Sequence, residues 1–178
     1  MKQSSWWSHL AQRALRVPGF PFLLHLLSST RFVVEGDSMA PGLVHQQYVL
    51  ASRWAYRLGP PARGDIVVVR DPQRPWVPCL KRIVGLPGEE VLVEGDGCWV
   101  NGSPVFPAAG DAPLRAGADQ LHWRLGPQEY VVLGDNRADS RDSRAFGPVH
   151  RRHIVGRVWL CYWPRERWGR VGVGAGWP

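Results

Sequence analysis

Beyond about residue 30 the apolar positions come in short runs, several of them β-branched, broken by glycine and proline. Strands and turns account for that pattern; long helical stripes do not. Phe32-Val33-Val34 reads as a short strand running into the turn Glu35-Gly36-Asp37-Ser38-Met39-Ala40-Pro41. Tyr48-Val49-Leu50-Ala51 and Ile66-Val67-Val68-Val69 follow, separated by the turn formers Leu58-Gly59-Pro60-Pro61 and Arg63-Gly64-Asp65. Leu80-Lys81-Arg82-Ile83-Val84-Gly85 is a fourth strand, ended by Leu86-Pro87-Gly88. Val91-Leu92-Val93, Glu94-Gly95-Asp96-Gly97, Cys98-Trp99-Val100 and Asn101-Gly102 then form a hairpin-and-turn pattern, and Phe106 to Ala118 is rich in Pro, Ala and Gly. Core strands resume at Tyr130-Val131-Val132-Leu133 and close with Ile154 to Leu160. The expected fold is mainly β: one domain over residues 30–163, a small inserted β lobe at 89–128, and a polar, glycine-rich tail at 164–178 that should fray.

Residues 1–29 follow another rule. Trp6, Trp7, Leu10, Ala14 and Leu15 share one helical face while Lys2, Arg13 and Arg16 lie elsewhere. That suits a helix lying in a membrane interface, and equally a helix packed on its own domain. The apolar stretch Val17 to Leu27 is interrupted by Pro18, Pro21 and His25, so it falls short of the ~20 apolar residues of a spanning helix. No small-x-small cleavage site follows it, so it does not read as a secretory leader.

Composition narrows the picture. At 178 residues and 44% hydrophobic content the chain can bury one core and a small satellite. The net charge of +7 comes from arginines scattered among strands and loops. A nucleic acid partner is therefore not expected, whereas an anionic membrane surface satisfies the same charge. Cys79, Cys98 and Cys161 are odd in number and lack a Cys-x-x-Cys, which argues against a disulfide framework and a zinc site. They read as small apolar residues. No metal or cofactor is expected.

The candidate chemistry centres on Ser38, which a strand feeding a glycine-containing turn would expose. Serine needs a neighbouring base. The six histidines, His9, His25, His45, His122, His150 and His153, lie in no segment that looks built for the task. Lysine serves if burial lowers its pKa from about 10.4 toward ~7–8, a shift worth roughly 4 kcal/mol. Lys81 lies among Leu80, Ile83 and Val84, and Lys2 is the only other lysine. An arginine there could not deprotonate. A third polar segment, Gly134 to Arg144, interleaves Asp135, Asp139 and Asp142 with arginines, which speaks against a cation site. Each feature alone has a plainer reading: Ser38 as a turn residue, Lys81 as a snorkelling strand lysine, Asp142 and Arg144 as a surface pair, Asp65 and Asp71 as turn formers.

Taken together they resemble a known family. VEGDSMAPGL at 34–43, CLKRIVGLPGE at 79–89 and LGDNRADSRDSRAFGPV at 133–149 resemble the signature boxes of type I signal peptidases, in the same order, with RGDIVVVRDP at 63–72 as an intermediate match. The resemblance implies an antiparallel β catalytic core with an inserted lobe, and cleavage after small residues. It implies Ser38 as nucleophile, Lys81 as general base and Ser140 as the hydroxyl that orients the amine. It further implies Asp142 and Arg144 as a bracing pair with Arg82 nearby, and Met39 packed beneath the site. Where some members carry a serine or threonine that donates to the oxyanion, this chain has Gly36. The oxyanion hole would then rest on the Ser38 backbone N–H and the Gly36 region. The partner would be a precursor protein or its signal peptide, bound as an added extended strand beside Phe32–Val34 and Leu80–Ile83. The expected location is a membrane, with the catalytic domain on the outer face of a plasma membrane; a soluble cytoplasmic protein is the alternative.

Other functions remain open at this level. Short relatives of the same kind mature a specific precursor, such as nickel superoxide dismutase, and the compact lobe suits that reading. A catalytically silent, basic β binding module is the reading from a different class. Self-cleaving repressor-type proteins are disfavoured: the pairs Ala109-Gly110, Ala116-Gly117 and Ala175-Gly176 all lie downstream of Ser38.

Overall fold

The structure is a computed structural model and describes residues 26–57, 59–106 and 120–172. The expected N-terminal amphipathic helix lies outside the described residues, as does most of the loop after Phe106. Among the described residues no helix is long and apolar enough to cross a membrane.

The strands form where the apolar runs predict them. β1 (Ser29–Val33), β2 (Tyr48–Ser52), β3 (Ile66–Arg70), β4 (Pro78–Gly85), β9 (Glu129–Leu133) and β11 (Ile154–Trp163) carry the main sheet. With the short β10 (Val149–His150) the strand order is β1-β2-β11-β3-β4-β9-β10, and neighbours run antiparallel. β11 binds this sheet together: Ile154 to Arg157 pair with β3, Arg157 to Trp163 with β2. Its register slips at several points, the bulges by which a long strand bends to serve two partners.

Successive strand residues point to opposite faces, and the cores follow that alternation. Val67, Val69, Ile83, Tyr130, Val132, Val149 and Ile154 pack on one face. On the other, Val49, Ala51, Ile66, Val68 and Val158 receive Val34, Met39 and Leu43 from the loop after β1. Farther along that second face, Val84, Val131 and Leu133 meet the inserted lobe through Val91, Val93, Cys98, Val100 and Leu125. β3 is apolar without alternation because both of its faces are covered.

The lobe is a sheet of its own, β7-β6-β5-β8. β5 (Glu90–Glu94) and β6 (Gly97–Val100) form the expected hairpin, and Asn101-Gly102 turns into β7 (Ser103–Phe106). Both turn residues have positive φ, 49° and 78°, the geometry for which Asn-Gly is suited. β8 (Gln120–Arg124) pairs with β5 although its sequence carries little strand signal.

One expectation is corrected. The stretch after Pro164 does not simply fray: β12 (Gly169–Arg170) pairs with Leu160 and Cys161, and the Val171 N–H donates to the Trp159 carbonyl at 3.0 Å. Backbone bonds and the single side chain of Val171 hold this strand, so no apolar period announces it. Val33, Tyr48 and Trp163 stand opposite one another across β1, β2 and β11 and are all exposed, forming an apolar row at the end of the sheet.

Gly85 marks the junction of sheet and lobe. A Cβ there would lie 2.6 Å from Val91 Cγ2 and 2.9 Å from Leu125 Cδ1. Gly85→Ala should destabilise the fold by about 1–3 kcal/mol through overpacking, measured by chemical denaturation; an unchanged midpoint would show that the junction is looser than described.

Candidate active site

The loop between β1 and β2 is closed at its neck: the Val34 N–H donates to the Gln47 carbonyl at 2.8 Å, and the Gln46 N–H to the Val34 carbonyl at 2.9 Å. Met39 and Leu43, both nearly inaccessible, root the far arm in the core. Ser38 sits between this anchored arm and the exposed arm Glu35-Gly36-Asp37, half-buried, and its carbonyl accepts the Asn136 N–H at 3.1 Å. Met39, the residue after the serine, is buried in the core.

Lys81 is on β4, opposite Val67 in register, and is 3% exposed. Its Nζ is hydrogen-bonded to Ser38 Oγ at 2.9 Å. Burial pushes its pKa below the ordinary lysine value; Asp142 and Asp135 oppose that shift and Arg144 reinforces it.

Two of the carboxylates that act on Lys81 are held by arginines. Asp142, fully buried, accepts from Arg144 Nε at 2.9 Å and from the Gly134 N–H at 2.9 Å, and it caps the short helix α1 (Ser143–Phe146) through the Arg144 N–H at 3.1 Å. Burial alone would raise the Asp142 pKa, but the Arg144 guanidinium and the Gly134 N–H hold it below the usual carboxylate value. Arg144 also donates to the Arg137 carbonyl at 2.7 Å, which ties the segment into one unit.

Arg82 does not join that pair. It donates from Nε and Nη2 to the two oxygens of Asp135, at 2.8 and 2.6 Å, and from Nη1 to the Gly64 carbonyl at 2.8 Å. Asp135 is thus a brace that the sequence reading missed, as is Ser143, whose buried Oγ accepts the Val132 N–H at 3.0 Å. Asp71 does form a turn, accepting the Gln73 N–H at 2.8 Å, and its other oxygen takes Arg141 Nε at 2.9 Å, pinning the third segment beside the site. The pairing of Arg82 with Asp135 follows from strand alternation, which sends Lys81 and Arg82 to opposite faces.

Two expectations take a different form. Ser140 Oγ is buried beside Gly134, where its hydroxyl helps hold the Asp142 carboxylate below its usual pKa; a hydrogen bond to the Lys81 amine is not formed. In the Gly36 region, the Gly36 N–H is donated to His45 Nδ1 at 3.1 Å, so it is not free to serve an oxyanion. Nothing in the sequence ties His45 to Gly36.

Two clefts meet at Ser38. One of about 480 Å³ is lined by apolar side chains, among them Phe32, Val34, Met39, Val68 and Leu80. The other, about 280 Å³, is lined by Lys81 and by charged groups including Asp71, Arg74, Asp139 and Arg141. Cys79 lines both, unlike the buried Cys98 and Cys161, and all three thiols are free. Among the described residues β1 pairs only with β2, and β4 pairs with β9 only from Arg82 onward, so two strand edges border the apolar cleft.

Residues 7–163 match the family described as signal peptidase, peptidase S26. The chain belongs to this family. Signal peptidase I of Leptolyngbya laminosa is 34% identical over 151 residues, covering 78% of this chain and 71% of the relative. Signal peptidase I of Bacillus caldolyticus is 34% identical over 155 residues, covering 79% and 83%. A mitochondrial ATP-independent inner membrane protease subunit 1a of Arabidopsis thaliana is 35% identical over 162 residues, covering 87% and 84%. A solved signal peptidase I from Enterococcus faecalis V583 overlaps with a TM-score of 0.45 at 28% identity, over 55% of this chain and 95% of that one; the assignment does not rest on it. The chain is accordingly a serine endopeptidase of the signal peptidase I kind, acting on precursor proteins that carry signal peptides. The maturation-protease and binding-module readings are no longer needed.

The buried amine has a measurable cost. Between the lowered folded pKa and the unfolded lysine pKa the unfolded chain binds a proton there more readily than the folded chain, so folding stability falls as pH drops through that window and then levels off. Lys81→Met, which removes the titrating group, should therefore be more stable than the parent at neutral pH, by a margin that shrinks toward alkaline pH. Thermal melts across pH test this; a constant margin would mean that the amine is not perturbed.

Proposed function

We propose that Ser38 attacks the scissile carbonyl while neutral Lys81 takes its proton. The observation that carries this is the 2.9 Å bond between Ser38 Oγ and an amine that is 3% exposed. The Ser38 backbone N–H stabilises the oxyanion of the tetrahedral intermediate. Lys81, now an ammonium, gives its proton to the departing amine, leaving an acyl-enzyme on Ser38. Lys81 then accepts a proton from water as that water attacks the ester, and returns it to Ser38 Oγ as the ester C–O bond breaks and the new carboxyl terminus leaves.

Asp142, Arg144, Arg82 and Asp135 hold the polar segment in register with β4, and Ser140 lines the base's surroundings. The precursor lies extended in the apolar cleft, using the open edges of β1 and β4 as backbone partners. Small side chains at the cleavage site fit between Met39 and Leu80. The catalytic domain comprises residues 30–163, with 89–128 as its inserted lobe.

The same reading brings this face to a bilayer. The exposed row Val33, Tyr48 and Trp163 adjoins the cleft through Val33, and aromatic side chains are favoured at the boundary of lipid and water. Replacing all three by serine should abolish co-sedimentation with anionic vesicles while leaving cleavage of a soluble peptide intact. Retained sedimentation would move the membrane contact elsewhere.

Ser38→Ala, Lys81→Ala and Lys81→Arg should each lower cleavage of an Ala-x-Ala precursor by roughly 10⁴-fold or more with the fold retained. Mass spectrometry of the protein treated with an acylating penem should place the adduct on Ser38. An active Lys81→Arg variant would rule out lysine as the base, because a guanidinium stays protonated.

A further inference from the structure

We propose that His45 is a positioning residue that holds the arm leading into Ser38, an inference that rests on Ser38 being the nucleophile. The loop from Val34 to Gln47 is unequally secured. Its far arm is rooted by Met39 and Leu43 in the core, by the Leu43 N–H to the Met39 carbonyl at 2.9 Å, and by the Val44 N–H to Gln47 Oε1 at 3.1 Å. The near arm, Glu35-Gly36-Asp37, is exposed and buries no side chain. The bond that ties it across the loop is the Gly36 N–H to His45 Nδ1.

That bond fixes a peptide two residues before the nucleophile. Gly36 has φ +75°, in the left-handed region that a glycine enters without strain but does not have to keep. A Cβ at Gly36 would meet nothing within 4 Å, so packing does not hold it either. The imidazole supplies the missing restraint from the already anchored side of the loop. It does so as an acceptor, in the neutral tautomer with the proton on Nε2. Where a serine or threonine at position 36 would give the loop a side chain of its own, this chain restrains the glycine through its backbone instead.

Because His45 is exposed, its loss should register in turnover rather than in stability. His45→Ala should lower kcat by about tenfold, the scale of one hydrogen bond made to order a reacting group, with KM within about twofold and the melting temperature unchanged. Asn places Oδ1 as far from its Cβ as His places Nδ1, so His45→Asn should restore kcat to within about threefold of the parent while His45→Leu should not. Amide hydrogen exchange at Gly36 reads the restraint without using catalysis: about tenfold faster in the Ala and Leu variants, near the parent rate in Asn. Full activity in His45→Ala, or rescue by Leu rather than Asn, would overturn the proposal. Unaltered Gly36 exchange in His45→Ala would overturn it too, even if Ser38 proved not to be the nucleophile; conversely, a parent that fails to cleave while Gly36 exchange responds as expected would count against the reading of Ser38 alone.

Discussion

An amine buried against a β-strand constrains nearly everything else around the site. Burial lowers the Lys81 pKa, and any free carboxylate nearby would raise it again. Two carboxylates do lie within reach, and each is clamped by an arginine: Asp142 by Arg144, Asp135 by Arg82. Each arginine thereby sets a positive charge beside a carboxylate that still acts to raise the Lys81 pKa. Arginine suits that duty, since it stays charged and grips a carboxylate with two parallel bonds, whereas a second lysine could exchange roles with the first.

The sheet supplies the positions these groups need. Adjacent residues of β4 serve opposite faces, which lets Lys81 meet Ser38 while Arg82 anchors Asp135. Gly134 allows the segments to close up: a Cβ there would stand 2.2 Å from Ser140 Oγ and 2.6 Å from the Ser38 carbonyl oxygen. The lobe reaches the sheet through a separate core, so its size can vary without moving the dyad.

What could be read in advance divides along physical lines. The central strands were legible because Ile66 to Val69 and Tyr130 to Leu133 are continuous apolar runs, and the Asn101-Gly102 turn because few residues accept its backbone angles. Lys81 stood out as an amine in a chain that otherwise uses guanidinium groups. The short partners β10 and β12 and the strand β8 were not legible, since each offers at most two apolar side chains, too few to show a period. Asp135, Ser143 and the link from Asp71 to Arg141 escaped for a related reason: each depends on which distant segments the loops bring together. His45 was hidden by its ordinary surroundings, and Ser140 serves the Asp142 carboxylate rather than the Lys81 amine.

The scarcity of lysine that makes Lys81 conspicuous also makes it addressable. With Lys2 as its only companion, isotopic enrichment of lysine alone would place just two side-chain amines in a nitrogen spectrum, one of them deep in the sheet. The protonation state of the buried group is then open to direct observation in the intact protein, without substrate, inhibitor or substitution. Few proteins with a buried amine offer so uncrowded a view of it.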